Sequence, residues 1–168
     1  MGKIGLGYAL LLNGETAEAI GTLEEAAGMS RTLLAEAPEN AEYHRIQAFV
    51  LMDLGQARAT AKLWIPAVDA FLESRAVFEK ILAADPRNAN IRRNHASVCS
   101  KLGSALVGAG RRAEGLRVQR EAIALLARVC EEDPGNAAAR KEKGEAEERL
   151  SGSLAATKGT KETATSGR

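Results

Sequence analysis

The chain has 168 residues, 45% of them hydrophobic, a balance that suits one globular domain and excludes a collagen, a mucin and a largely disordered chain. Only 4% of the residues are aromatic while Ala and Leu together supply 51, which favours helix over a β-sandwich or barrel. Lys plus Arg (23) against Asp plus Glu (22) leaves a net charge of +1 without a long block of like charge, so neither nucleic acid nor an anionic membrane is an expected partner.

At the start of the chain, the apolar run from Ile4 to Leu12 is interrupted by Gly5 and Gly7 and is shorter than a membrane span. No leader peptide or transmembrane helix is read, and the expected compartment is the cytoplasm. Further along, Pro38-Glu39-Asn40-Ala41, Pro86-Arg87-Asn88-Ala89 and Pro134-Gly135-Asn136-Ala137 recur at an offset of 48 residues. The same offset, without gaps, superposes Leu6 on Leu54 and Leu102, Gly7 on Gly55 and Gly103, and Ala9 on Ala57 and Ala105.

Each copy reads as two helices. The proline ends one helix, and Asn40, Asn88 or Asn136 caps the next by accepting an orphan backbone N–H. Midway, Asn13-Gly14 and Gly110 supply a turn that needs the left-handed conformation. Lys62 takes that place in the middle copy, with Pro66 read as the first helical residue after it. Second helices carry an apolar stripe at spacings of three and four, in the columns Ile20/Val68/Leu116, Leu23/Phe71/Gln119, Ala27/Arg75/Ile123, Ser30/Phe78/Leu126 and Leu34/Leu82/Cys130. A single hairpin cannot bury such a stripe, so the hairpins must stack.

These residues resemble the tetratricopeptide repeat family. Leu6-Gly7 with Leu10, Gly14, Ala19, Leu23 and Ala26 match its pattern, as do Leu54-Gly55 with Ala67, Phe71 and Ser74, and Leu102-Gly103 with Leu106, Gly110, Gly115 and Ala122. Arg58, Lys62 and Gln119 depart from it, and the period exceeds the family's 34 residues by about two heptads. A closer resemblance is to the long helical repeats behind the catalytic domain of some bacterial serine/threonine protein kinases, carried by Asp85-Pro86-Arg87-Asn88-Ala89, Arg92-Arg93 and Lys101-Leu102-Gly103. The resemblance implies an all-α, right-handed α-solenoid of antiparallel helical hairpins whose first helices line a concave, ligand-binding face. It places Tyr8, Phe49, Met52, Gln56, Ser97, Ser100 and Ser104 on that face, and one heptad upstream Arg45 and Arg93.

The expected hairpins span about 1–37, 40–85 and 88–133, followed by a terminal helix over 137–150 and a disordered tail over 151–168 rich in Gly, Ser, Thr and Lys. Met1 aligns with Phe49, inside a first helix, so the chain reads as the C-terminal piece of a longer frame or as one that begins on a short, poorly capped helix.

No catalytic constellation is read. His44 and His95 share columns with Arg92/Arg140 and Gln47/Lys143 and read as solvated, without the orienting partner a general base needs. Gly2, Gly5 and Gly7 do not follow the dinucleotide order, and the kinase signatures are absent. Cys99 and Cys130 read as core hydrophobes about 13 Å of helix rise apart, too far for a disulfide, with Cys99 facing the region of Glu121.

The columns His44/Arg92/Arg140 and Arg45/Arg93/Lys141 form a basic ladder that suits carboxylates or phosphates of a partner. Glu36, Asp85, Glu131, Glu132 and Asp133 are the acidic residues that could neutralise it within the chain. The expected function is a non-enzymatic scaffold binding a protein or peptide with acidic or phosphorylated groups, without metal or cofactor. Two alternatives stand beside it: the regulatory or substrate-docking end of a kinase, and a spacer that self-associates through the uncapped N-terminal hairpin.

Overall fold

The computed structural model describes the backbone of residues 2–165 and the side chains of residues 2–155; Met1 and the last three residues of the expected tail lie outside the described residues. Among the described residues there are seven helices and no strand: α1 (Lys3–Leu12), α2 (Thr16–Glu36), α3 (Ala41–Thr60), α4 (Trp64–Ala84), α5 (Ala89–Gly108), α6 (Arg112–Glu132) and α7 (Ala137–Thr165). None of these is long and apolar enough to cross a membrane.

The capping chemistry follows the asparagines. Asn40 Oδ1 accepts from the backbone N–H groups of Glu42 and Tyr43, at 3.0 and 3.2 Å; Asn88 Oδ1 accepts from Ile91 N at 3.2 Å, and Asn136 Oδ1 from Ala139 N at 3.0 Å. The turns inside the hairpins also repeat, with Glu15 N, Leu63 N and Arg111 N each donating to the carbonyl five residues back, on Leu10, Arg58 and Leu106. Each of these turns needs one left-handed residue: Gly14 has φ 82°, Gly110 has φ 81°, and Lys62 has φ 59°. The turn at Lys62 has the same length as its glycine counterparts, so α4 begins at Trp64 and Pro66 is its third residue, not its first. A side chain in that conformation costs about 1–2 kcal/mol, part of which glycine returns as entropy of the unfolded chain. Lys62→Gly is expected to raise stability by about 0.5–1 kcal/mol, read as a higher melting temperature.

Consecutive helices pack in antiparallel succession. Each first helix also touches the next first helix (α1 with α3, α3 with α5, α5 with α7), whereas α2, α4 and α6 do not meet one another. The core is correspondingly divided: one cluster joins α2, α3 and α4 around Leu23, Leu51 and Leu54, a second joins α3 to α6 around Phe71, Phe78 and Leu102, and a third ties Ala96 and Leu126 to Ala146 of α7.

Gly7, Gly55 and Gly103 let the two helices of each hairpin approach. A Cβ on Gly7 would lie 2.7 Å from Leu23, one on Gly55 2.7 Å from the Phe71 ring, and one on Gly103 2.5 Å from Gln119. The glycine and the large residue sixteen positions later thus form one packing unit in every hairpin.

The terminal helix does not stop at Leu150. Arg112 Nη2 donates to the Ser153 carbonyl at 2.6 Å and Gln119 Nε2 to the Ser153 hydroxyl at 3.0 Å, which anchors α7 beyond the point where composition led to the expectation of loose chain.

Candidate functional site: the first-helix face

On the first-helix side, positions one period apart bring Asp53 of α3, Lys101 of α5 and Arg149 of α7 into a row. All three are half-buried. Burial pushes the Asp53 carboxyl up to about 6, against the pull of Lys101. Burial likewise lowers the Lys101 pKa, opposed by Asp53 and, more weakly, by Glu142 and Glu145, while Arg149 adds to the lowering. Among the described residues, neither the Asp53 nor the Lys101 side chain makes a hydrogen bond or a close ion pair. Asp53 and Lys101 are therefore partly dehydrated and have no direct side-chain partner among the described residues.

Around the Lys101–Arg149 end, α7 lies over α5. Arg149 Nη2 meets Glu145 Oε2 at 3.3 Å and Nη1 reaches the Ser100 hydroxyl at 3.5 Å. Arg93 Nε lies 3.3 Å from Glu142 Oε1. Burial raises the Glu142 pKa, with Arg93 and a hydrogen bond from Ser97 working the other way. Below them Gln119, fully buried, donates from Nε2 to the hydroxyls of Ser104 and Ser153, both at 3.0 Å, and its Oε1 has no partner.

The residues assigned to the concave face by sequence are therefore distributed over several places. Ser97, Ser100, Ser104 and Arg93 come together beneath α7, with Ser100 only 1% exposed. Phe49 packs edge-to-face on Phe78, ring centroids 5.6 Å apart, and Met52 leans on the same core cluster. Gln56 is half-buried near Asp53 on α3, and Tyr8 stands 49% exposed on α1.

Arg45 belongs elsewhere, in a cleft of about 320 Å³ with a floor of Ile81 and Ile91 and a rim that includes His44, Lys80 and Asp85. Its guanidinium is held by Glu42, one turn away, at 2.6 and 2.8 Å. The basic ladder is neutralised in part within the chain, since Arg92 also binds Glu132 at 2.8 Å.

One juxtaposition was not anticipated from sequence: His95 and Cys99, four residues apart on α5, bring Nε2 and Sγ to 3.8 Å, with Glu79 3.5 Å from the same imidazole nitrogen. Their spacing was legible, their common environment was not. Burial pushes the Cys99 thiol up to about 12, with Glu121 and Glu79 adding to the rise, and burial lowers the His95 pKa. A thiol in that state is not a nucleophile at neutral pH, so the pair reads as packing. Among the described residues no group of His, Cys, Asp and Glu is arranged to hold a metal ion.

Compared with known protein families the chain matches none, and the curated proteins contain no match to it.

Proposed function

We propose that the chain is a non-enzymatic scaffold that binds a peptide segment of a protein partner across its first helices, as part of a right-handed tetratricopeptide-like superhelix acting in the cytoplasm. The observation that carries the reading is the Asp53–Lys101 row: opposite charges on neighbouring first helices, each half-buried, neither engaged in a direct contact. Keeping such groups partly out of water without pairing them costs stability, and chains retain that cost where a ligand uses it. Asp53 suits a lysine or arginine of the bound segment, and Lys101 suits a carboxylate or phosphate about one helix spacing away.

Selection of a random-peptide phage library on the immobilised chain tests the reading. A related set of sequences carrying opposite charges is expected, with binding weakened at least about tenfold by Lys101→Met and by Asp53→Asn while circular dichroism stays unchanged. Recovery of no related sequences, or equal binding to both variants, would overturn it.

A further inference from the structure

In the third hairpin a carboxylate sits between two arginines. Arg92, Arg128 and Glu132 line one cleft between α5 and α6. Arg92 donates to Glu132 Oε1 at 2.8 Å and, with a smaller contribution from Arg128, holds that carboxyl below the ordinary carboxylate range. One period upstream, His44 stands for Arg92, Lys80 for Arg128 and Ala84 for Glu132. Both basic positions are kept there, and the carboxylate is gone.

Its loss shows in the contacts that remain. His44 Nε2 lies 2.7 Å from the Pro38 carbonyl and 3.0 Å from Lys80 Nζ. A single ring nitrogen cannot donate to the carbonyl and accept from the ammonium at once. Arg140, in the same column as His44, donates to the Pro134 carbonyl, so donation to the proline carbonyl is the role of this position. With His44 donating likewise, the Lys80 ammonium faces an N–H and has no acceptor among the described residues. The acids of the rim do not supply one: Glu42 is taken up by Arg45, Asp85 Oδ2 accepts from Asn88 Nδ2 at 3.1 Å, and Glu39 makes no ion pair among the described residues. Beside Ala84 the cleft of about 320 Å³ stays open over Ile81 and Ile91, a size at the small end of pockets for small molecules.

We infer that this cleft binds a small aliphatic monocarboxylate of about six carbons, its carboxylate on Lys80 in the place that Glu132 fills in the next hairpin and its chain on Ile81 and Ile91. The charged end makes a charge-assisted hydrogen bond and the chain buries apolar surface, so one polar group orients the ligand in a mostly apolar pocket. The site involves neither Asp53 nor Lys101, so it stands or falls apart from the row they form.

The probe is hexanoate, titrated at constant pH into the full chain carrying nitrogen-labelled histidine and followed through the ring resonances of His44. His95, the other histidine, lines the neighbouring cleft and serves as the reference. Saturable shifts at His44 alone are expected, with a midpoint of about 1 mM, and the neutral hexanamide should bind at least about tenfold more weakly. Ala84→Glu returns the carboxylate to the chain and should weaken hexanoate binding at least about tenfold while the melting temperature holds or rises. Lys80→Met, a change at an exposed side chain, should weaken it to a similar degree. No saturation up to about 20 mM hexanoate, equal binding of hexanamide, or binding indifferent to both substitutions overturns the inference. Saturation by a short blocked peptide with a central glutamate, but not by hexanoate, would also overturn it, by making a protein side chain the occupant.

Discussion

Phe71→Ala is expected to cost about 3–5 kcal/mol of folding stability, measured as a drop in the urea midpoint. The ring is 1% exposed and belongs to the cluster that joins α3 to α6, so its loss leaves a cavity that several helices must close together. The opposite change, Gly55→Val, drives new carbon atoms into that ring, because even a Cβ would lie 2.7 Å from it, and costs about 1–3 kcal/mol by overpacking. The two substitutions remove each other's cause. With Phe71→Ala in place, the valine occupies part of the vacated space, so the double variant should be more stable than the sum of the single effects by about 1 kcal/mol or more. Simple additivity would show that the glycine is not there to admit the ring. In the third hairpin the rescue should fail, since a Cβ on Gly103 meets the Gly115 carbonyl at 2.8 Å as well as Gln119.

What could be read from sequence was the part of the fold written in backbone chemistry. Asn40, Asn88 and Asn136 cap helices because their short side chains reach N–H groups two or three residues on, a relation that needs no knowledge of the rest of the chain. Gly14 and Gly110 mark turns for an equally local reason. What could not be read was the outcome of contacts between distant segments. Gln119 was visible as a polar interruption of an apolar column, but the hydroxyls that satisfy it come from Ser104 and from Ser153, in a stretch whose composition suggested loose chain. Phe49 stands on the binding face by resemblance; its half-buried ring also packs edge-to-face on Phe78, a contact between distant segments that the alignment does not show. The row of Asp53, Lys101 and Arg149 lay within reach of the same 48-residue alignment that found the caps; what the alignment lacked was burial, which sets Asp53 and Lys101 apart from the exposed charges of the chain.

That burial has a consequence in the pH dependence of folding. The Asp53 carboxyl titrates at about 6 in the folded chain against an ordinary value of 3.8, so between these two values the folded state holds the proton more tightly than the unfolded state does. Stability therefore falls as pH rises through this window, is free of the penalty below it, and carries the full penalty above pH 6, a cost on the order of 3 kcal/mol at neutral pH. Asp53→Asn cannot ionise and should flatten that part of the profile. Its gain at pH 7 is expected to be smaller than the whole penalty, about 1–2 kcal/mol, because the amide is itself a polar group that stays half-buried. Chemical denaturation of both chains at pH 4 and pH 7 checks the sign: the variant should be the more stable at pH 7 and no more stable at pH 4. A variant that is less stable at pH 7 would mean that Asp53 and Lys101 attract each other strongly enough to outweigh their desolvation. In that case the row would be a structural ion pair, and the energetic basis for assigning it to a ligand would be gone.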